Sequence, residues 1–175
     1  MVAGFVGVPA LKVVAFQPAQ WALYRDLRLM ALKDSPEAFG GTYAQAARVS
    51  DAVWASRLAN ADGVRDLPLL LLVDDVAAGM AWGTMDRTST ETACVYQMWV
   101  APEYRGLGGG SLLLDQIIAW ARERQVCQLI LTVACGLSPA RTLYDRSGFT
   151  AVGAPEPLRA GSELRVQPMR LSLAG

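Results

Sequence analysis

Apolar and polar positions along this chain follow two rhythms, one near every second residue and one near every 3.6. Residues 11–17, LKVVAFQ, read as a strand ended by Pro18. From Gln20 the rhythm turns helical. Trp21, Tyr24, Leu27 and Ala31 fall on one stripe, with Leu23 and Met30 widening it, until Asp34-Ser35-Pro36 breaks the pattern. PEAFGGTY is rich in turn residues, and Ser50 or Asp51 is placed to cap a second helix, DAVWASRLAN. After Pro68 the strand rhythm returns. LLLLV (69–73) and VAAGMAWGTM (76–85) flank Asp74-Asp75, a two-residue hairpin turn, and ACVYQMWV (93–100) follows the polar turn 87–92. Three strands so closely connected predict an antiparallel meander.

A glycine-rich stretch then opens a helix whose stripe is Leu113, Ile117, Trp120 and Ala121, extended by Leu114 and Ile118. The strand CQLILTVA (127–134), a short helix over 139–146, FTAVG (149–153) and a final strand in ELRVQPMRLSL complete the chain. The order β, two helices, three strands, α, β, α, β, β predicts an α+β (mixed α/β) fold around one sheet. The 175 residues suffice for a single domain over 1–175 with a sizeable core, and no repeat or linker divides them.

Charge and composition narrow the function. Lys plus Arg and Asp plus Glu are 16 each, so no excess charge draws the chain to nucleic acid or an anionic membrane. The apolar opening MVAGFVGVPALKVVAF lacks a basic start and is cut by Pro9 and Lys12, so it does not read as a signal peptide. No run reaches the ~18 apolar residues that a membrane span needs. Cys94, Cys127 and Cys135 fit no zinc or disulfide spacing; core thiols in a reducing cytoplasm are expected, and no metal. Histidine is absent. That removes Ser-His-Asp and Cys-His pairs and every histidine base, leaving Tyr, Asp, Glu, Lys, Cys or water for proton chemistry.

The glycines of WVAPEYRGLGGGSLLLDQ pose a problem, because each one in a helix's first turns costs about 0.5–1 kcal/mol relative to Ala. A Walker-type loop requires Lys before the hydroxyl, and here Gly110 precedes Ser111. A dinucleotide fingerprint requires a third glycine where Ser111 stands. A plain turn needs one or two glycines. A bare helix start offers converging N–H donors and a partial positive charge, which suits an anion such as a diphosphate, with Arg105 at the entrance.

This loop resembles the R/Q-x-x-G-x-G/A signature of the GNAT superfamily, the acyl-CoA-dependent N-acetyltransferases, through Arg105, Gly108 and Gly110. Downstream, PARTLYDRSGF (139–149) is similar to that family's A-x-x-L-Y-x-x-x-G-F turn, in the right order and about 30 residues on. The resemblance implies a twisted, mostly antiparallel sheet with splayed central strands and helices on both faces. It implies acetyl-CoA as cosubstrate, its pantetheine arm against Met98, Trp99 and Val100, and its diphosphate on Arg105, Gly106, Leu107, Gly108, Gly109, Gly110 and Ser111.

The implied reaction is acetyl transfer to a primary amine of a small molecule or protein. The alternative is a non-catalytic acyl-CoA-binding module. Tyr144 matches the family's tyrosine that protonates the departing thiolate; without the paired motif it would read first as a packed residue with its hydroxyl in water. A strand carboxylate often serves as base in the family. Here Gln97 occupies that strand, so Glu91 just before it is the nearest candidate and Glu37 a weaker one, with water as the other option. Leu137 replaces the family's usual Asn; Ser138 and Arg141 are then the expected cofactor contacts of the second motif. Homodimers are common in the family, but nothing in the sequence requires one, and the acceptor is not legible.

Overall fold

The computed structural model describes residues 7–174. The first six residues of the apolar opening lie outside them. The elements are β1 (Leu11–Ala15), α1 (Trp21–Asp34), α2 (Tyr43–Ala47), α3 (Asp51–Ala59), β2 (Asp66–Val73), β3 (Val76–Met85), β4 (Thr92–Val100), α4 (Gly109–Glu123), β5 (Gln128–Ala134), α5 (Pro139–Arg146), β6 (Thr150–Ala151), β7 (Glu156–Pro157) and β8 (Arg165–Ser172). The strands form one mixed sheet in the order β1-β2-β3-β4-β5-β8-β6, with β7 also paired to β8. Every neighbouring pair is antiparallel except β4 with β5. The fold is α+β.

Helices cover both faces, which explains the unbroken apolar run of β2. Leu69, Leu71 and Val73 pack into one core with Leu113, Leu114, Ile117 and Trp120 of α4. Leu70 points the other way, into a second core with Tyr24, Leu27 and Ala31 of α1 and Trp54 and Leu58 of α3. Of the α1 stripe, Tyr24, Leu27 and Ala31 are buried and Trp21 and Leu23 half-buried against the same core, whereas Met30 is exposed. Asp74 and Asp75 both take positive φ, 49° and 63°, as a tight hairpin between Val73 and Val76 requires. Ser50 caps α3, accepting from the Val53 amide at 3.4 Å.

Several expectations need correction. β2 begins at Asp66 and runs through Pro68. The Pro68 carbonyl accepts from the Phe16 amide at 2.9 Å, just past the last β1 pair, so the proline's missing N–H falls outside the paired ladder of β1 and β2. The turn-rich passage holds a 3-10 turn, Pro36–Ala38, and the short α2, capped reciprocally by Thr42 and Gln45. The stretch 149–153 pairs only over Thr150–Ala151. Cys127 and Cys135 are exposed, because each flanks an end of β5 rather than sitting inside it; Cys94 is half-buried. No helix of the described residues is long and apolar enough to cross a membrane.

Candidate functional site

The site begins where the sheet opens. β4 and β5 pair over three positions only, Thr92 with Gln128, Ala93 with Leu129 and Cys94 with Ile130. Beyond Cys94, β4 stays on β3 and β5 stays on β8, so the facing edges lose their partners. A bulge in β4 drives this divergence. Met80 pairs with Trp99 and Trp82 with Tyr96, so Gln97 and Met98 together oppose Ala81. Gln97 sits at φ 54°, a backbone state that costs a residue with a side chain on the order of 1 kcal/mol or more. Its side-chain oxygen accepts from the buried Tyr24 hydroxyl at 2.9 Å, so α1 holds the bulge in place.

The glycine loop meets this wedge from the α4 face. Gly106 and Gly108 have φ of 79° and 92°, and a Cβ on either would meet nothing within 4 Å. Their requirement is backbone conformation, beside open space. Gly109 differs: it is buried, and a Cβ there would run into the Leu71 side chain. Its bareness serves the core rather than a ligand, which corrects the single explanation offered for all three glycines at the helix start. α4 starts at Gly109 with Gly108 as N-cap, no side-chain cap and no acidic residue in its first turn. The amides of Gly109, Gly110 and Ser111 therefore carry the helix's positive end uncompensated.

Arg105 does more than stand at the entrance. Its guanidinium pairs with Asp34 at the end of α1 at 2.5 Å, and its Nε donates to the Val100 carbonyl at 2.8 Å. Asp34 also accepts from the Trp99 indole at 2.9 Å and the Ser35 hydroxyl at 2.7 Å. These donors, Trp99 first, hold its carboxyl down at about 2. One carboxylate thus ties α1, β4 and the loop together.

Across the wedge, α5 presents Tyr144. The turn after α5 fixes it: Gly148 takes φ 93° and the Phe149 amide returns to the Tyr144 carbonyl at 3.0 Å, while the two rings pack at 5.9 Å. Tyr144 is among the residues lining the cleft, and burial alone pushes its phenol up to about 12. Ser138 also lines the cleft but spends its oxygen capping α5, accepting from the Arg141 amide at 3.1 Å. Arg141 does not line it; its Nε binds Asp145 one turn on. Two arginines the sequence reading passed over, Arg122 of α4 and Arg146 of α5, do line the cleft.

All these walls enclose one cleft of about 1670 Å³ that passes through the wedge from the α4–α5 face to the α1 face. Met98, Trp99, Val100, Arg105, Gly106, Gly108, Gly109, Gly110 and Ser111 line it, and Leu107 does not. Glu91 is also excluded. It precedes β4 at the end where that strand still pairs with β5, and its carbonyl accepts the Cys127 amide; the opening lies at the other end. Glu37, exposed on the 3-10 turn after α1, does line the cleft, as do Arg28 and Phe39.

Comparison with known proteins agrees with this architecture. A model of the Acetyltransferase (GNAT) family matches residues 29–149. A [ribosomal protein bS18]-alanine N-acetyltransferase of Haemophilus influenzae is 35% identical over 95 residues, 54% of this chain and 62% of the relative. A 5-NmdU N-acetyltransferase of Pseudomonas phage PaMx11 is 42% identical over 59 residues, 34% of this chain and 40% of that one. The chain thus spans less than two thirds of either curated relative. Among solved structures, yncA from Salmonella typhimurium, determined with its cofactor acetyl-CoA, superposes with a TM-score of 0.78 over 95% of both chains at 19% identity, which shows a shared fold.

Proposed function

Because the chain belongs to the GNAT acetyltransferase family, we propose that it transfers an acetyl group from acetyl-CoA to a primary amine by direct attack in a ternary complex. The observation that carries this reading is one continuous cleft. It joins an uncapped helix start, an unpaired strand edge and a buried tyrosine, and leads out past α1 to the other face of the sheet. The names of both curated relatives describe N-acetylation, and that chemistry is the part carried over.

The residues present fit acetyl-CoA. The amides of Gly109, Gly110 and Ser111 would hold the diphosphate, beside the open space at Gly106 and Gly108. The edge of β4 at Met98–Val100, free of β5, would take the amide-bearing arm. Arg105 acts mainly by fixing that edge and the loop, since its guanidinium is held by Asp34 and Val100. When bound, acetyl-CoA supplies an activated acetyl group: a C–N bond forms to the amine as the C–S bond breaks, one proton leaves the nitrogen and one reaches the sulfur.

Tyr144 is the proposed proton donor to sulfur. With its phenol pushed up to about 12, it stays protonated throughout the working range. Full transfer from such a phenol to a thiolate near 8.5 is uphill, so its chief service is a hydrogen bond to developing negative charge, in a site where burial strengthens that bond. At pH 7 an alkylammonium near 10.4 leaves about one molecule in 10³ neutral, a penalty of about 4–5 kcal/mol. Glu37 is the proposed receiver of that proton, directly or through water, as the cleft's carboxylate on the turn that follows α1.

The test is release of CoA thiol from acetyl-CoA with a broad panel of amines. Turnover with at least one primary amine is expected. Glu37→Gln should depress kcat/KM most near pH 7, with the deficit shrinking as pH nears the amine's own pKa. Tight acetyl-CoA binding without turnover on any amine would return the protein to the binding-module reading.

A further inference from the structure

We infer that the acceptor amine carries a carboxylate, and that the Arg28 guanidinium on α1 is the group that holds it. This rests on the transfer reading above and names the substrate class of the same cleft. Arg28 lines the cleft from the face of the sheet occupied by α1, opposite the α4 face that presents the glycine loop. Its Nη1 is closed off from water and has no hydrogen-bond partner among the described residues. No carboxylate of the described residues pairs with it either: on α1, Asp26 is taken by Arg25 and Asp34 by Arg105. Its charged neighbour is a second cation, Arg57, whose guanidinium stacks 4.7 Å over the Trp54 ring.

A half-buried guanidinium beside another cation, with no acid near it, is an arrangement that a soluble fold avoids unless an anion completes it. Burial lowers the Arg28 pKa most; Tyr24 opposes that shift and Arg57 adds to it. The guanidinium carbon sits over the Phe39 ring, 4.5 Å from its centroid. Nε and Nη2 make no hydrogen bond among the described residues and, unlike Nη1, are not closed off from water, so that edge can give a planar carboxylate two parallel hydrogen bonds.

Glu37 completes the pattern. It lines the same cleft, three residues beyond the end of α1, yet makes no ion pair with Arg28 among the described residues. Two opposite charges left unjoined match an acceptor that brings both complements, an ammonium for Glu37 and a carboxylate for Arg28. A free amino acid has that form.

The test is a matched series in the thiol-release assay: amino carboxylates, their carboxamides, the same amines lacking the group, and aminoalkyl phosphonates. The expected result is a kcat/KM for the best amino carboxylate roughly 100-fold or more above its carboxamide, most of it in KM. Arg28→Gln should bring that ratio to within about fivefold. A thermal-shift arm needs no turnover. Arg28→Met should melt at or above the wild type without ligand, and amino carboxylates should raise the melting temperature of the wild type but not of Arg28→Met. Equal rates for carboxamides or simple amines, an unchanged ratio in Arg28→Gln, or preference for the phosphonate would each overturn the assignment. Absence of thiol release with every amine would instead overturn the transfer reading, and the thermal-shift arm would then decide the carboxylate site by itself.

Discussion

At the scale of the residue, two side chains separate what motif and position convey from what only packing reveals. The placement of Tyr144 beside the cleft follows from its motif, which ends in Gly148-Phe149, the turn that seats its ring in the core. Its elevated pKa was not legible, since burial comes from residues distant in the chain. The expected outcome for Tyr144→Phe is a kcat lowered by about 10²-fold with the KM for acetyl-CoA nearly unchanged, measured by steady-state thiol release. The wild type's alkaline limb should not set in through pH 10, because a phenol at about 12 is still protonated there. A decline centred near 10 would remove Tyr144 as the acid. Glu91 illustrates the opposite case: nearness in sequence to β4 selected it, but it sits at the closed end of the wedge. Asp34 and Arg105 are 71 residues apart, and no local pattern announces their pairing.

At the scale of the element, the rhythms of α1, α3 and α4 were readable because each buries a defined face, which leaves a period in the sequence, whereas the meander was readable as apolar runs set off by polar turns. The β4 bulge left none, since nothing about a glutamine marks it for positive φ. Its cause is tertiary, in the Tyr24 hydroxyl and the pairing with β3. The glycines of the loop divide by role, and their variants should divide likewise. Gly109→Ala forces a methyl into Leu71 and is expected to cost about 1–3 kcal/mol of stability in denaturant unfolding. Gly108→Val meets open space but strains φ 92°, so the expected effect is on the loop: acetyl-CoA affinity by calorimetry should fall at least tenfold, with a smaller loss of stability. Affinity unchanged in Gly108→Val would count against the loop as the diphosphate site.

At the scale of the molecule, the sheet divides its helices so that two cores share one set of strands, and the cleft passes between them where β4 and β5 part. A ligand lodged there touches both cores and should stabilise the whole fold. At 100-fold excess over its dissociation constant, acetyl-CoA should add about 2.7 kcal/mol. For a chain of this size that corresponds to a melting temperature about 5–11 °C higher, readable by calorimetry. An unshifted transition at saturating acetyl-CoA would contradict the binding mode. The α+β class and the β2-β3-β4 meander were legible because the connections are short and the apolar runs distinct. The identity of the acceptor was not, because Arg28, Phe39 and Glu37 acquire meaning only once α1 and the turn after it fold over the opening.

The Asp34 junction has a consequence for the order of events. It fastens the last turn of the helix bordering one mouth of the passage to the backbone bordering the other, through Arg105 on one side and Trp99 on the other. The two mouths therefore share a hinge pin. Any occupant that tightens it from the nucleotide side presets the opposite wall for the second guest, and reciprocity requires the second guest to hold the first by the same factor.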